Sequence, residues 1–168
     1  FRRVLFRSEN TLGMKTVNEA LAIRSEIMRR FEDLCRFEDD TKFSIAVVGG
    51  GPTGVEMAGA IAELKRGPLT SDSKDAAKNI DVYLVEAGAR VLPALSPKLS
   101  ERTKKDLEKL GVKVLTNAAV KEVKPRQIIF ADGSKIPSEV TVWAAGVKGE
   151  PTMKKLSVPE DKIGRAHV

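Results

Sequence analysis

Residues 45–59 read Ile-Ala-Val-Val-Gly-Gly-Gly-Pro-Thr-Gly-Val-Glu-Met-Ala-Gly, a short apolar run that leads into glycines and then into a helical pattern. Gly49, Gly51 and Gly54 have the G-x-G-x-x-G spacing of loops that bind dinucleotide phosphates, a weak signal when it stands alone. The run before them is continuously apolar, as a parallel strand buried on both faces requires. The stretch therefore predicts a strand, a phosphate-binding turn and a helix.

The two ends of the chain do not look like natural protein sequence. Residues 163–168 can be encoded by a DNA stretch whose reverse complement encodes Arg-Val-Leu-Phe-Arg-Ser, the last six residues of segment 1–8. We therefore interpret 1–8 and 163–168 as adapter-derived artefacts and exclude both from the fold argument. The only histidine, His167, lies in the second of them, so we assign it no role.

Excluding the ends changes the charge of the chain. The 29 basic residues against 23 acidic ones give a net charge of +6, but removing the four arginines of the two ends leaves 25 against 23, or +2. This balance gives no reason to expect a nucleic-acid partner. The sole cysteine, Cys35, excludes a disulfide framework, and it is expected to be a small buried thiol. We predict no metal site, no signal peptide and no transmembrane helix in this sequence.

Strand and helix patterns alternate along most of the chain. Thr16 and Glu19 have the spacing of a capping box, which predicts a helix that ends near Phe37. Helices are also predicted over 52–65 and 97–110, strands over 42–48, 80–85, 112–115 and 140–144, a surface loop over 67–79, and short strands over 120–123, 127–130 and 135–136. The predicted fold class is α/β, a Rossmann-like dinucleotide-binding domain with a central parallel sheet and an antiparallel β-meander crossover.

An acidic residue stands where such a fold needs one. Glu86 ends the second strand of the predicted unit, 32 residues after Gly54; subtracting the 13-residue loop 67–79 leaves 19, close to the spacing of about 20 in dinucleotide-binding domains. A carboxylate there accepts hydrogen bonds from both hydroxyls of an adenosine ribose and repels a 2′-phosphate, so Glu86 favours NADH over NADPH. Arg90 either softens this preference or is a solvated surface arginine.

Three segments together resemble type II NADH dehydrogenases, the single-subunit, FAD-containing NADH:quinone oxidoreductases of the pyridine nucleotide-disulfide oxidoreductase superfamily. They are residues 47–64 around the glycine loop, Leu84-Val-Glu-Ala-Gly-Ala-Arg-Val-Leu-Pro93, and Val142-Trp-Ala-Ala-Gly-Val147. The resemblance implies that a hydride passes from NADH to FAD and that the flavin then reduces a quinone. It also implies cofactor-binding roles for Gly49, Gly51, Pro52, Thr53, Gly54, Val55, Glu56, Glu86, Ala145 and Gly146.

These residues have different roles in the resemblance. Residues 51–55 would hold the pyrophosphate, Glu86 the adenosine ribose, and Ala145 with Gly146 would line the dinucleotide. Glu56 would face the nicotinamide; alternatively, it is a first-turn acid favoured by the helix dipole. No catalytic residue is assigned within the chain, because the two cofactors carry the redox chemistry.

The resemblance also implies how the chain is divided. Residues 9–41 would be a helical link from a missing FAD domain, 42–150 the NADH-binding domain, and 151–162 the start of the return to the FAD domain. Such a chain would be inactive by itself. The full-length protein would lie peripherally at the cytoplasmic face of a bacterial inner membrane, where it would meet quinone, and a homodimer is compatible with it.

Two alternatives remain open from the sequence. One is another FAD-dependent NAD(P)H reductase of the same superfamily, with a ferredoxin or a disulfide as its acceptor. The thioredoxin-reductase type places a C-x-x-C in this domain, and the single cysteine argues against it. The other alternative is a non-catalytic module that senses NAD.

Overall fold

A computed structural model describes residues 10–37, 42–67, 69 and 77–146 of the chain. Three predicted segments lie outside the described residues, together with most of the predicted loop 67–79; they are 1–8, 151–162 and 163–168. Within the described residues no helix combines the length and the apolar composition needed to cross a bilayer.

A parallel sheet of five strands forms the centre of the structure. Its strands are β1 (Leu12–Gly13), β2 (Phe43–Val48), β3 (Ile80–Val85), β4 (Val112–Leu115) and β8 (Val140–Trp143). They lie in the order β1-β8-β2-β3-β4. After the edge strand β1 the chain enters the middle of the sheet at β2 and runs outward through β3 and β4. It then returns as β8 between β1 and β2, which is the reversal of strand order found in dinucleotide-binding folds. The predicted α/β class with a central parallel sheet is confirmed.

In the described part of the chain, three helices of more than ten residues cover one face of this sheet. They are α1 (Val17–Phe37), α2 (Pro52–Arg66) and α3 (Pro97–Lys109). Successive residues of a strand point to opposite faces, and in β2 Ile45 and Val47 pack with the helices while Ala46 and Val48 pack on the other side. All four are buried, so the continuous apolar run is explained by a sheet that is covered on both faces.

The other face is covered by a small antiparallel sheet. Its strands are β5 (Val120–Lys124), β6 (Gln127–Phe130) and β7 (Lys135–Pro137), paired in that order. Asp132 accepts the N–H of Ser134 at 2.9 Å, and Gly133 has a φ of +87°, which together form the predicted hairpin turn. Val123, Ile128 and Phe130 are buried against the central sheet. The predicted meander is confirmed.

The helix ends agree with the capping signals in the sequence. Thr16 Oγ1 accepts the N–H of Glu19 at 3.2 Å, and Glu19 Oε2 accepts the N–H of Thr16 at 2.9 Å, which is a reciprocal capping box. Ser96 Oγ accepts the N–H of Leu99 before α3. Gly111, with a φ of +89°, follows the end of that helix.

The buried face of α1 is not the one that would bury its cysteine. Ile23, Ile27 and Phe31 are buried at a four-residue spacing, whereas Val17 is 76% exposed. Each four-residue step turns the side chain by about 40° around the helix axis. After three such steps from Ile23, Cys35 points away from the sheet and is exposed. The prediction of a buried thiol is therefore wrong. Because the buried side chains belong to the same core as the sheet, α1 is packed into this domain.

The segment between α2 and β3 also differs from the sequence prediction. Leu69 is 2% exposed and Ala77 is 3% exposed, and both pack with the helix-side core. Ala77 and Lys78 are helical. This segment is therefore more than a surface loop, because the side chains of Leu69 and Ala77 are buried in the core.

Candidate functional site

The glycine loop starts at the carboxyl end of β2, in the middle of the sheet. Gly49 donates its N–H to Val85 O at 2.8 Å and has a φ of +120°. A Cβ atom on Gly49 would lie 2.8 Å from Ala145 N and 2.9 Å from its Cα. Only glycine fits, because the backbone conformation and the neighbouring chain both exclude a side chain. The loop is thus held against the residues that follow β8.

Gly54 brings α2 against this loop. A Cβ atom there would overlap the carbonyl oxygen of Gly49 and would lie 3.6 Å from Ala144 Cβ. Gly54 and Ala58, one helical turn later, are both buried. The close packing that the glycine spacing predicts is confirmed, and it fixes the start of the helix over the end of the sheet.

The start of α2 is open. Gly51 is the N-cap residue, Pro52 follows at the first helical position, and among the described residues no side chain caps this end. A Cβ on Gly51 would meet nothing within 4 Å. The first N–H groups of a helix lack partners within the helix, so those of Thr53 and Gly54 are available to a ligand. Backbone donors and the positive end of the helix dipole make this position suited to an anion such as a pyrophosphate.

Glu86 joins the glycine loop to the turn after β3. Its Oε2 accepts the N–H of Gly50 at 2.7 Å, and its Oε1 accepts the N–H of Gly88 at 2.6 Å. Both carboxylate oxygens are therefore oriented by the backbone. An ionised carboxylate offers about four acceptor positions, and these two hydrogen bonds use two of them. The carboxylate can accept ligand hydroxyl groups without giving up these two hydrogen bonds.

The turn that carries Glu86 is itself fixed by backbone hydrogen bonds. Leu92, which has a φ of +48°, donates its N–H to Gly50 O at 2.7 Å. Ala118 donates to Glu86 O at 2.9 Å, and Asn117 donates to Gly88 O at 2.8 Å. The loops after β2, β3 and β4 thus form one hydrogen-bonded rim at the carboxyl edge of the sheet. This edge is where α/β folds bind their ligands.

Arg90 braces its own loop. Its guanidinium donates to Pro93 O at 2.8 Å and to Leu95 O at 3.1 Å. The guanidinium is thus hydrogen-bonded within the protein and is not a freely solvated group. Its hydrogen bonds stabilise the turn that holds Leu92 against the glycine loop.

The predicted site residues are only partly brought together. Gly49, Gly54, Glu86 and Ala145 lie around one loop, and Gly51 is open to solvent beside them. Four further predicted residues lie next to this group along the chain. Pro52 and Thr53 are exposed in the first turn of α2, Val55 is partly buried against the helix-side core, and Gly146, with a φ of +75°, is exposed after β8.

Glu56 stands apart from the rest. It is exposed in α2, and the first turn of that helix contains no acidic residue. The alternative interpretation of Glu56 as a first-turn acid is therefore wrong. Among the described residues no hydrogen bond or ion pair joins its side chain to the glycine loop, so its role at the nicotinamide stays a prediction.

Three residues of the rim are not among the predicted site residues. Gly50 occupies an unassigned position of the fingerprint, although the triple glycine is a signal that it too is constrained. Gly88 lies in the segment Leu84 to Pro93 without a predicted role, and its N–H is the second partner of Glu86. Leu92 carries no sequence signal, because its contribution is a backbone N–H. Among the described residues no three His, Cys, Asp or Glu side chains are grouped to hold a metal ion.

A glycine turn at the switch point of a parallel sheet, an open helix start and an acid at the end of the next strand define a dinucleotide-binding domain of the Rossmann type. The family model for pyridine nucleotide-disulphide oxidoreductases matches residues 6–168, and the chain belongs to this family.

Curated relatives are named type II NADH:quinone oxidoreductases. The Mycobacterium tuberculosis protein Ndh is 37% identical over 173 residues, covering 93% of this chain and 36% of the relative. The Haemophilus influenzae protein is 40% identical over 122 residues, covering 70% of this chain and 27% of the relative. The chain thus spans about a third of these proteins.

A solved structure has the same fold. NDH2 from Plasmodium falciparum in complex with NADH matches with a TM-score of 0.78 and 26% identity, covering 90% of this chain and 33% of that one.

Proposed function

We propose that this chain is the NADH-binding part of a flavoprotein that transfers a hydride from NADH to FAD and then electrons to a quinone. The names of the relatives and the NADH complex of the Plasmodium falciparum protein support the nucleotide and the reaction class. The chain spans about a third of those relatives, so it would be inactive without the remaining two thirds.

The observation that carries this proposal is the carboxylate of Glu86 at the glycine loop. It is positioned by the N–H groups of Gly50 and Gly88, which orient the side chain without neutralising its charge. An oriented carboxylate accepts hydrogen bonds from the two ribose hydroxyls of NADH. The same negative charge repels the 2′-phosphate of NADPH.

The remaining contacts follow from the open start of α2. The backbone of residues 51–55 would bind the pyrophosphate, and the absence of a side chain at Gly51 leaves room for it. Ala145 and Gly146 would line the dinucleotide where the loop approaches the end of β8, and Glu56 would reach the nicotinamide side. FAD, held by the rest of the protein, would supply the hydride acceptor.

The proposal includes the organisation of the whole protein. Residues 9–41 would lead from the FAD domain into this one, 42–150 would bind NADH, and 151–162 would lead back. The complete protein would be peripheral at the cytoplasmic face of a bacterial inner membrane, possess a quinone site outside this chain, and form a homodimer.

The nucleotide assignment is tested by titrating the chain with NADH and with NADPH and following nucleotide fluorescence. We expect the Kd for NADH to be lower by about tenfold or more, which corresponds to about 1.4 kcal/mol. A preference for NADPH, or no binding of either nucleotide, would contradict the assignment.

The acceptor is tested in the protein encoded by the complete reading frame, loaded with FAD. We expect NADH oxidation to depend on an added soluble quinone. Faster turnover with a ferredoxin or a disulfide would favour another reductase of the family, and failure to oxidise NADH with any acceptor would favour an NAD-sensing module.

A further inference from the structure

Gly50, the middle residue of the triple glycine, has no role in the fingerprint, yet the structure leaves no space for a side chain there. A Cβ atom on Gly50 would lie 2.9 Å from both Cβ and Oε2 of Glu86 and 3.0 Å from its Cγ. Non-bonded carbon atoms pack at about 3.5–4.0 Å, so all three distances are too short for a real side chain. The neighbouring Gly51 differs completely, because a Cβ there meets nothing within 4 Å.

The backbone itself does not require glycine at this position. The described glycines with a positive φ are Gly49, Gly111, Gly133 and Gly146, and Gly50 is not among them. An L-residue there would therefore not be strained by a left-handed φ. The obstacle is the side chain of Glu86, so the requirement for glycine comes from the carboxylate that faces it.

The backbone of both residues is held by hydrogen bonds. Gly50 O accepts the N–H of Leu92 at 2.7 Å, while Glu86 donates to Leu115 O at 2.8 Å and accepts from Ala118 at 2.9 Å. Because the close atoms include Glu86 Cβ, bending only the far end of the side chain does not relieve the contact. A methyl group at position 50 would push the glycine loop and the turn at Glu86 apart and would turn the Cγ and carboxylate of Glu86 aside, which breaks the hydrogen bond from Gly50 N–H to Oε2.

We propose that Gly50 is a specificity-determining residue, whose missing side chain holds the Glu86 carboxylate where it distinguishes a ribose 2′-hydroxyl from a 2′-phosphate. The identity of the ligand rests on the proposed function above. Gly50 acts through Glu86, so it is a positioning residue for nucleotide selectivity. Its substitution changes the choice of nucleotide more than the strength of pyrophosphate binding.

The first test measures the Kd values of NADH and NADPH for the wild-type chain, Gly50→Ala and Gly51→Ala. For Gly50→Ala we expect the NADH Kd to rise about tenfold, the effect of losing one charge-assisted hydrogen bond, while the NADPH Kd changes little. Gly51→Ala is the matched control: its methyl group enters the open space for the pyrophosphate, so both affinities should fall together and their ratio should stay constant.

The second test places Gly50→Ala in a Glu86→Gly background, which removes all three Glu86 atoms that the new Cβ would meet. The added methyl group then has no partner to displace, so the ratio of the two Kd values should not change further. The fall in the urea midpoint caused by Gly50→Ala should also be smaller in the Glu86→Gly background than in the wild type. If the single variant fails to fold, recovery of folding in the double variant supports the pairing, and failure of both overturns it.

The outcomes separate this inference from the proposed function. A wild-type chain that selects NADH while Gly50→Ala keeps the same selectivity overturns the inference alone. A wild-type chain without NADH selectivity removes the proposed function and the selectivity role of Gly50 together. In that case the midpoint comparison still decides whether Glu86 is what excludes a side chain at position 50.

Discussion

The two ends of β3 carry carboxylates whose partners differ in kind. Asp81, near the start of the strand, forms an ion pair with Lys113 Nζ at 2.7 Å, and the same ammonium lies 5.0 Å from the centroid of the Tyr83 ring. Glu86, just past the other end, is bound by the N–H groups of Gly50 and Gly88. A lysine neutralises the first carboxylate, whereas the second is oriented while it keeps its charge.

The difference follows from the direction of the strands. At the amino end of the sheet two polar contacts are made within the protein: Glu139 accepts the N–H of Ser44 at 2.7 Å, and Lys65 donates to Ile80 O. At the carboxyl end the loops present backbone donors and the start of α2, which suit an anionic ligand. The polar groups at the amino end stabilise the fold, and those at the carboxyl end are placed to bind a ligand.

The largest effect is expected for Gly54→Ala at the carboxyl end. The new Cβ would overlap Gly49 O, so the loop or the helix must shift, which typically costs about 1–3 kcal/mol. We expect NADH binding to be lost and the urea midpoint to fall.

Gly59→Ala, in the same helix, is the control for this change. Its Cβ would lie 3.8 Å from Leu107 Cδ2, which is an ordinary contact, and replacing a helical glycine by alanine stabilises by up to about 1 kcal/mol. If both variants bind NADH like the wild type, the close packing at Gly54 is not needed for the site.

A smaller but more selective effect is expected when each carboxylate of β3 is removed. Glu86→Ala should raise the Kd for NADH about tenfold, since hydrogen bonds to charged groups are worth roughly 1.5–3 kcal/mol, and should relax discrimination against NADPH. Asp81→Ala, at the far end of the strand, should leave both affinities unchanged. Nucleotide titration of the two variants measures this, and an unchanged preference in Glu86→Ala would refute the ribose assignment.

The sequence was sufficient for the features that local rules determine. The capping box at Thr16 and Glu19, the strand before Gly49 and the hairpin at Gly133 each depend on a few neighbouring residues, and the structure has all of them. The position of Glu86 was also predictable, because a strand end and a glycine loop are related by the connectivity of the fold.

What the sequence did not predict depends on contacts between distant segments. The two-residue strand β1 exists because Leu12 and Gly13 pair with Val142 and Trp143, and no local pattern marks it. Leu92 enters the rim through its backbone N–H, which every residue but proline possesses. Cys35 was misplaced because several helical faces of α1 carry apolar residues, and only the packing against the sheet shows which face is buried.

The smallest effect is expected at the amino end, from the pH dependence of the Asp81–Lys113 pair. The hydrogen bond from Lys113 to Asp81 raises the pKa of the Lys113 ammonium above its usual value. A raised pKa in the folded state means that the pair stabilises fully below the unfolded lysine value of about 10.4. The stabilisation is lost as the pH rises through the folded value.

Lys113→Gln should therefore lower the free energy of unfolding by up to about 1 kcal/mol, the usual range for an exposed ion pair, and the difference from the wild type should shrink above about pH 10. Urea denaturation of both proteins from pH 7 to pH 11 measures it. A difference that stays constant over this range would mean that Lys113 stabilises by packing its methylene groups on Tyr83 rather than by charge. The two ends of β3 would then differ in how their side chains pack and not in charge pairing, because neither carboxylate would depend on a cation.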